Sequence, residues 1–127
     1  MNESGYWLDL AQYDLETAKV MNTSQRYLYV GFMCHQVIEK VIKACYCRRF
    51  KTAPPYTHNL SLLAEKAGIY SELTNEQKNF LDFLEPLNIE ARYPTQKQKL
   101  LSLLDGNKCT EIIQRTESEL QWFIKML

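Results

Sequence analysis

The stretch QRYLYVGFMCHQVIEKVIKACYCRR, residues 25–49, decides the fold because it is long, contains no proline and is apolar at helical intervals. Its apolar side chains recur three, four or seven positions apart, which is the spacing of one face of an α-helix. These positions are Val30, Val37, Val41, Ala44 and Cys45. The segment Thr52-Ala53-Pro54-Pro55 follows, and proline cannot continue a helix. We therefore predict one helix over about 25–49, the longest in the chain.

Similar periodicity on both sides of this stretch predicts further helices joined by short connectors. They are expected at about 7–21, 60–67, 75–91 and 108–126, with one or two further turns at about 96–104. Pro86 lies inside the fourth of the predicted helices and indicates a kink or an early end. No stretch shows sustained strand-type alternation. Residues 1–127 are therefore expected to form a single all-α domain, an antiparallel helical bundle of about five helices.

The composition permits a core and argues against a strongly basic nucleic-acid-binding surface. Apolar residues make up 46% of the 127 residues, the net charge is +0 and the pI is about 6.7. A strongly basic domain is the usual signature of tight, non-specific DNA binding, and that signature is missing. The charge is uneven, however, because residues 25–58 carry six basic side chains against the single acid Glu39. The pattern predicts a local basic zone on a polar surface.

The four cysteines are Cys34, Cys45, Cys47 and Cys109. No apolar segment typical of a signal peptide follows the polar start of the chain, and no apolar run approaches the length of a membrane span. We therefore expect reduced thiols in a cytoplasmic protein. Cys45 and Cys47 lack the C-x2-C spacing of zinc sites, and on a helix they point about 200° apart. We expect no metal and no cofactor.

A second, polar stripe lies on the same long helix. Gln36, Glu39, Lys40 and Lys43 are spaced i, i+3, i+4 and i+7, and they fall within about 100° of arc. Helix geometry alone favours a solvated face, whose i,i+4 pairs contribute only about 0.2–0.5 kcal/mol each. Both this interpretation and the following one place Lys40 and Lys43 at the surface, so replacing both lysines by alanine is expected to leave the fold intact. The other interpretation is the polar wall of a binding cleft.

Residues 35–44, HQVIEKVIKA, resemble the HQxxEKxxKA signature of the HEPN family, the higher eukaryotes and prokaryotes nucleotide-binding domain. Other segments agree in order and spacing. Residues 11–18 resemble the family's AxxDLxxA helix, Thr57-His58-Asn59-Leu60 resembles its THxL segment, and Arg92-Tyr93-Pro94 resembles its RYP segment. The resemblance extends over about residues 7–125.

The resemblance implies an all-α bundle that commonly forms a homodimer. It also implies pairing with a small nucleotidyltransferase in a toxin–antitoxin-like system, with a nucleotide or nucleic acid bound at the dimer cleft. The site residues that it suggests are Gln36, Glu39, Lys40, Lys43 and Tyr93 for binding, with Arg92 and His58 as catalytic candidates.

Some HEPN domains are metal-independent ribonucleases that use an Arg-x4-6-His motif, and this chain departs from it. If Arg92 is the motif arginine, the histidine belongs at 97–99, which hold lysine and glutamine. The two histidines are His35 and His58. The missing motif histidine favours the interpretation of the chain as the binding partner of a nucleotidyltransferase. One alternative is a ribonuclease that uses Arg92 with a histidine. The other is a non-catalytic dimeric scaffold.

Each single candidate also has a structural interpretation. His58 is alternatively a turn or helix-capping residue. Arg92 is alternatively the partner of a carboxylate, and Tyr93 is alternatively an aromatic side chain that packs in the fold. Arg48, Arg49 and Lys51 suit the end of a helix, where cations interact favourably with the helix dipole, or a phosphate-contacting patch.

Overall fold

A computed structural model describes residues 3–88 and 94–127 of the chain. In these ranges there are six α-helices and no strand. They are α1 Glu3–Thr23, α2 Tyr27–Phe50, α3 Leu60–Lys66, α4 Asn75–Leu84, α5 Pro94–Leu103 and α6 Gly106–Lys125. Two short 3-10 helices cover Tyr70–Glu72 and Glu85–Leu87. The all-α prediction is confirmed, with one α-helix more than the five expected.

Helix α2 is the centre of the bundle, and it packs chiefly against α1 and α6. The predicted apolar stripe is confirmed, since all of its members are buried. They are Val30, Val37, Val41, Ala44 and Cys45. The intervening Ile38 and Ile42 are also fully buried, so α2 is covered on more than one face. Helix α1 lies along it, and the fully buried Ala11 and Ala18 let the two backbones approach closely.

The end of α2 shows how the chain turns toward the candidate site. Lys51 adopts the left-handed conformation (φ 54°), and its N–H donates to the carbonyl oxygen of Cys47 at 2.9 Å. This is a common way to end a helix. Arg48 and Arg49 occupy the last turn, where their charges complement the helix dipole. Residues 51–59, which include Pro54, form the loop that returns across α2.

Helix α4 has a well-defined beginning and an early end. Thr74 and Gln77 form a capping box, in which each side chain accepts a hydrogen bond from the other residue's backbone N–H. The helix ends at Leu84, and Pro86 lies in the 3-10 helix that follows. The predicted early end at Pro86 is confirmed.

None of the α-helices in residues 3–88 and 94–127 combines the length and the apolar character needed to cross a membrane.

Candidate functional site

A row of polar side chains lies inside the bundle along α2. His35, Glu39 and Lys43 are one helical turn apart and are only 0%, 2% and 6% exposed. The solvated-face interpretation is therefore wrong for Glu39 and Lys43. The reason is tertiary: Trp7 of α1 covers Lys43, whose Nζ lies 5.0 Å from the ring centroid, and His58 of the loop covers Glu39.

The Glu39 carboxylate joins two elements of the fold. Its Oε2 accepts a hydrogen bond from Lys43 Nζ at 3.0 Å, and its Oε1 lies 2.9 Å from His58 Nδ1. An ionised carboxylate only accepts hydrogen bonds, so Nδ1 of His58 is the donor. The His58 side chain is 50% exposed. A buried, lysine-paired carboxylate thus orients a half-exposed imidazole whose second nitrogen, Nε2, is not engaged by Glu39.

The loop itself holds His58 in place. The backbone N–H of Thr57 donates to the carbonyl oxygen of Pro55 at 3.1 Å, and the Thr57 hydroxyl accepts from the N–H of Asn59 at 3.2 Å. Asn59 caps α3, because its Oδ1 accepts from the N–H of Leu62 at 3.0 Å. The helix-capping residue is therefore Asn59, and the alternative interpretation of His58 as a cap is wrong.

His35 has a structural environment that differs from that of His58. Its Nδ1 is 3.9 Å from Glu39 Oε1 and its Nε2 is 4.0 Å from Glu85 Oε1, beyond hydrogen-bond distance. Neither ring nitrogen makes a hydrogen bond of normal length and angle among the described residues, although the His58 backbone lies close enough to favour the protonated ring. Burial lowers the pKa of His35 to about 4, and the Glu39 charge opposes that shift only in part. His35 is therefore a neutral core side chain near pH 7.

The remaining members of the polar stripe make contacts within the fold. Lys40 forms an ion pair with Asp14 of α1, a carboxylate that is itself buried. Gln36 Nε2 donates to Asn88 Oδ1 at 3.0 Å. The structure thus brings Glu39, Lys43 and His58 together, whereas Gln36 and Lys40 pair with other elements.

Arg92 and Tyr93, the other predicted site residues, lie outside the described residues. Their assignment to binding and catalysis stays a prediction.

Two aromatic residues next to the site were missed by sequence reasoning. Trp7 of α1 lies against Lys43, with the ammonium nitrogen 5.0 Å from the ring centroid. Tyr56 is 92% exposed and meets the His58 ring edge-on, with centroids 5.7 Å apart. The two prolines before Tyr56 could have indicated its position, because prolines restrict the backbone of the loop on which Tyr56 lies.

The cysteines take no part in this site. All four are buried. Burial raises the pKa of Cys34 to about 12 and those of Cys45 and Cys109 to about 11, so these thiols stay protonated near neutral pH. In the part of the chain that the structure describes, no three His, Cys, Asp or Glu side chains are grouped so as to hold a metal ion.

Comparison with known proteins gives a family and a fold. A family model described as "HEPN domain" matches residues 4–127. The crystal structure of TT1696 from Thermus thermophilus is similar, with a TM-score of 0.84 over 100% of both chains and 17% sequence identity. At that identity the likeness shows the fold alone. No curated protein matches this sequence.

Proposed function

Because the chain belongs to the HEPN domain family, we propose that it is a binding module that pairs with a small nucleotidyltransferase in a toxin–antitoxin-like system. In this proposal it binds a nucleotide or nucleic acid through His58. HEPN domains are often dimeric, and a homodimer is part of the proposal because symmetric pairs are the commonest oligomers.

The observation that carries the proposal is the contact between Glu39 and His58. The carboxylate is buried and paired with Lys43, so it holds the imidazole in one orientation at 2.9 Å. The His58 side chain is half exposed, and its contact with Glu39 uses only Nδ1. Such a group suits a ribose hydroxyl or a phosphate oxygen, since little side-chain freedom remains to be lost on binding.

Binding is better supported than cleavage because the chain has a single accessible imidazole. Cleavage at the ribose 2′-OH needs one group to remove a proton and another to deliver one. Of the two histidines, His35 is fully buried and its pKa is about 4. Binding needs only the one ordered donor or acceptor that His58 supplies.

The proposal is tested by the anisotropy of a fluorescein-labelled, ten-nucleotide single-stranded RNA at fixed, modest salt. We expect His58→Ala to weaken binding about tenfold, the effect of losing one hydrogen bond to a charged group. Gln121→Ala, an exposed change on α6, is the control and should bind as the wild type does. Equal binding by His58→Ala and wild type would contradict the proposal.

The pairing is tested by purifying the tagged protein from its native cells at modest salt. We expect a small nucleotidyltransferase to be recovered with it, and recovery of none counts against the pair. Sedimentation equilibrium tests the homodimer, whose expected mass is twice the 15.0 kDa of the chain.

The same contact favours a second candidate, a metal-independent ribonuclease. A histidine oriented by a carboxylate is the usual arrangement of a general base. In this alternative, His58 takes the 2′-OH proton and Arg92 stabilises the charge that develops on the phosphate. RNA cleavage with EDTA present separates the candidates. Cleavage by wild type, but not by His58→Ala or Arg92→Ala, supports the enzyme; equal cleavage by all three, or none, does not.

A further inference from the structure

A cavity of about 300 Å³ opens between the first turns of α1 and the loop that carries His58. Its walls are Glu3, Tyr6, Trp7, Ala53 and Pro54, and they are predominantly apolar. Small-ligand sites are usually concave and mostly apolar with a few polar groups, and this pocket has that composition at the lower end of their size range.

Two aromatic side chains shape the pocket. Tyr6 and Trp7 meet edge to face, with ring centroids 5.4 Å apart and planes at 79°. Tyr6 is half exposed, which leaves a large apolar ring in contact with water. A planar ligand stacked against these rings would cover that surface, and stacking on aromatic side chains is how proteins bind unpaired bases.

A chain of side-chain contacts links the pocket to the His58 site. Lys43 Nζ lies 5.0 Å from the Trp7 ring centroid and donates to Glu39, which in turn holds His58. Pro54 and His58 also lie on one loop, four residues apart, so their Cα atoms are separated by no more than about 14 Å. A base in the pocket and a ribose or phosphate at His58 can therefore belong to one oligonucleotide.

Glu3 adds a chemical preference. Its carboxylate lines the pocket, and its Oε2 lies 3.8 Å from the sulfur of Cys47, a contact that positions the side chain. An ionised carboxylate accepts hydrogen bonds and donates none. It therefore suits the exocyclic amino group of adenine, cytosine or guanine, whereas uracil has no amino group and presents its N3–H between two carbonyl oxygens.

We propose that the pocket lined by Tyr6, Trp7 and Glu3 binds an unpaired, amino-bearing nucleobase of the nucleic acid that contacts His58. The inference rests on the proposed function, because it names the ligand chemistry of that site. Its occupant is one base of a single strand, since a paired base is stacked and hydrogen-bonded within a duplex.

Trp7 itself is the reporter for the test. The chain has two tryptophans, and Trp122→Phe leaves Trp7 as the single tryptophan. We expect a six-nucleotide oligoadenylate to change the Trp7 fluorescence with saturation, and an oligouridylate of the same length to bind at least fivefold more weakly. A thermal melt of Trp122→Phe checks that the background variant is folded.

Three substitutions sharpen the test in the same titration. Tyr6→Ala should weaken oligoadenylate binding about tenfold, as expected for the loss of one stacked base, and Tyr6→Phe should retain it. Glu3→Gln should reduce the preference for oligoadenylate over oligouridylate. Tyr13→Ala is the matched control, because Tyr13 is an exposed tyrosine of the same helix outside the pocket.

The outcomes distinguish this inference from the function on which it rests. RNA binding that depends on His58 but not on Tyr6, with unchanged Trp7 fluorescence, would overturn the pocket and leave the function standing. Failure of the wild type to bind either oligonucleotide would overturn both. Equal affinity for oligoadenylate and oligouridylate would overturn the role of Glu3.

Discussion

Glu39 is the residue on which the site depends. Its charge lies in the core, and the desolvation that this costs is offset by Lys43 Nζ at 3.0 Å and by His58 Nδ1 at 2.9 Å. A buried ion pair is strongly destabilising when one partner is lost, because the other charge is left without compensation. The same carboxylate therefore contributes to folding and orients the exposed imidazole.

Glu39→Gln should lower the free energy of unfolding by about 3 kcal/mol, since it leaves the Lys43 ammonium buried without a counter-charge. Urea denaturation followed by circular dichroism measures this. Adding Lys43→Met should recover part of the loss, because the unpaired charge is then absent. Glu16→Gln, whose exposed partner is Lys19 at 3.3 Å, is the control and should cost less than about 0.5 kcal/mol. Similar losses for Glu39→Gln and Glu16→Gln would contradict the role of burial.

The burial of Lys43 also corrects an expectation. The sequence predicted that alanine at both Lys40 and Lys43 leaves the fold intact, on the premise that both side chains are exposed. Lys43 is 6% exposed, and Lys40 is paired with the buried Asp14. Each substitution therefore leaves a buried carboxylate, Asp14 or Glu39, without its lysine partner. The double variant should be clearly less stable than wild type.

His35 should make stability depend on pH. Burial lowers its pKa to about 4 in the folded state, against about 6.5 in the unfolded chain. As the pH falls through this window the unfolded chain binds the proton first, so the contribution of His35 is complete above pH 6.5 and is lost towards pH 4. The loss should reach about 3 kcal/mol.

Urea denaturation at pH 7, 6 and 5 measures this effect in wild type and in His35→Gln. The difference in pH dependence between the two proteins isolates His35 from the carboxylates that titrate in the same range. Parallel stability curves for wild type and His35→Gln would show that the folded and unfolded pKa values of His35 are alike.

At the scale of single elements, local hydrogen bonds determine where helices begin. In α4 the Thr74 hydroxyl accepts from the N–H of Gln77 at 3.1 Å, and Gln77 Oε1 accepts from the N–H of Thr74 at 2.8 Å. In α6 the Asp105 carboxylate accepts from the N–H of Lys108 at 2.7 Å. These contacts involve residues three apart, so they can be inferred from sequence once the helix is located.

Thr74→Ala should lower the free energy of unfolding by about 1 kcal/mol, because the first turn of α4 loses the hydroxyl that accepts from the N–H of Gln77. Thr74→Ser should lose little, since its hydroxyl can make the same bond. Thr52→Ala, an exposed change in the loop after α2, serves as the comparison in chemical denaturation. A Thr74→Ala variant as stable as Thr52→Ala would contradict the capping box.

At the scale of the whole molecule, the core unites α2 with the other helices and so positions the site. Leu84, at the end of α4, is fully buried, and so are Leu60 and Leu63 of α3. The Glu85–Leu87 turn follows directly and brings Asn88 to Gln36. Loss of packing at Leu84 therefore affects both the core and the elements beside the polar row.

Leu84→Ala should lower the free energy of unfolding by about 2–5 kcal/mol, through lost burial and the cavity that remains. Leu84→Asp should unfold the domain or bring it close to unfolding. Leu103→Ala, at an exposed leucine of α5, is the matched control, with an expected change within about 0.5 kcal/mol. Thermal and urea denaturation compare the three variants, and an unchanged midpoint for Leu84→Asp would show that this core assignment is wrong.

The sequence by itself determined the helices and the family. Helical periodicity, caps and proline positions are local properties, which is why the span predicted at 25–49 agrees with α2 at Tyr27–Phe50 and the early end at Pro86 was found. The segment HQVIEKVIKA, in order with the segments that resemble AxxDLxxA, THxL and RYP, indicated the HEPN family, which the match over residues 4–127 confirms.

Only the tertiary structure decided which polar residues are buried and what they contact. One face of α2 carries Gln36, Glu39, Lys40 and Lys43. The sequence of the helix itself does not determine whether that face is exposed to solvent or covered by other parts of the protein. The answer depends on α1 and on the loop of residues 51–59, which lie far apart in the chain and cover the face together. The orientation of His58 by Glu39, and the Trp7 pocket beside it, arise from that packing because they join residues that no sequence interval relates.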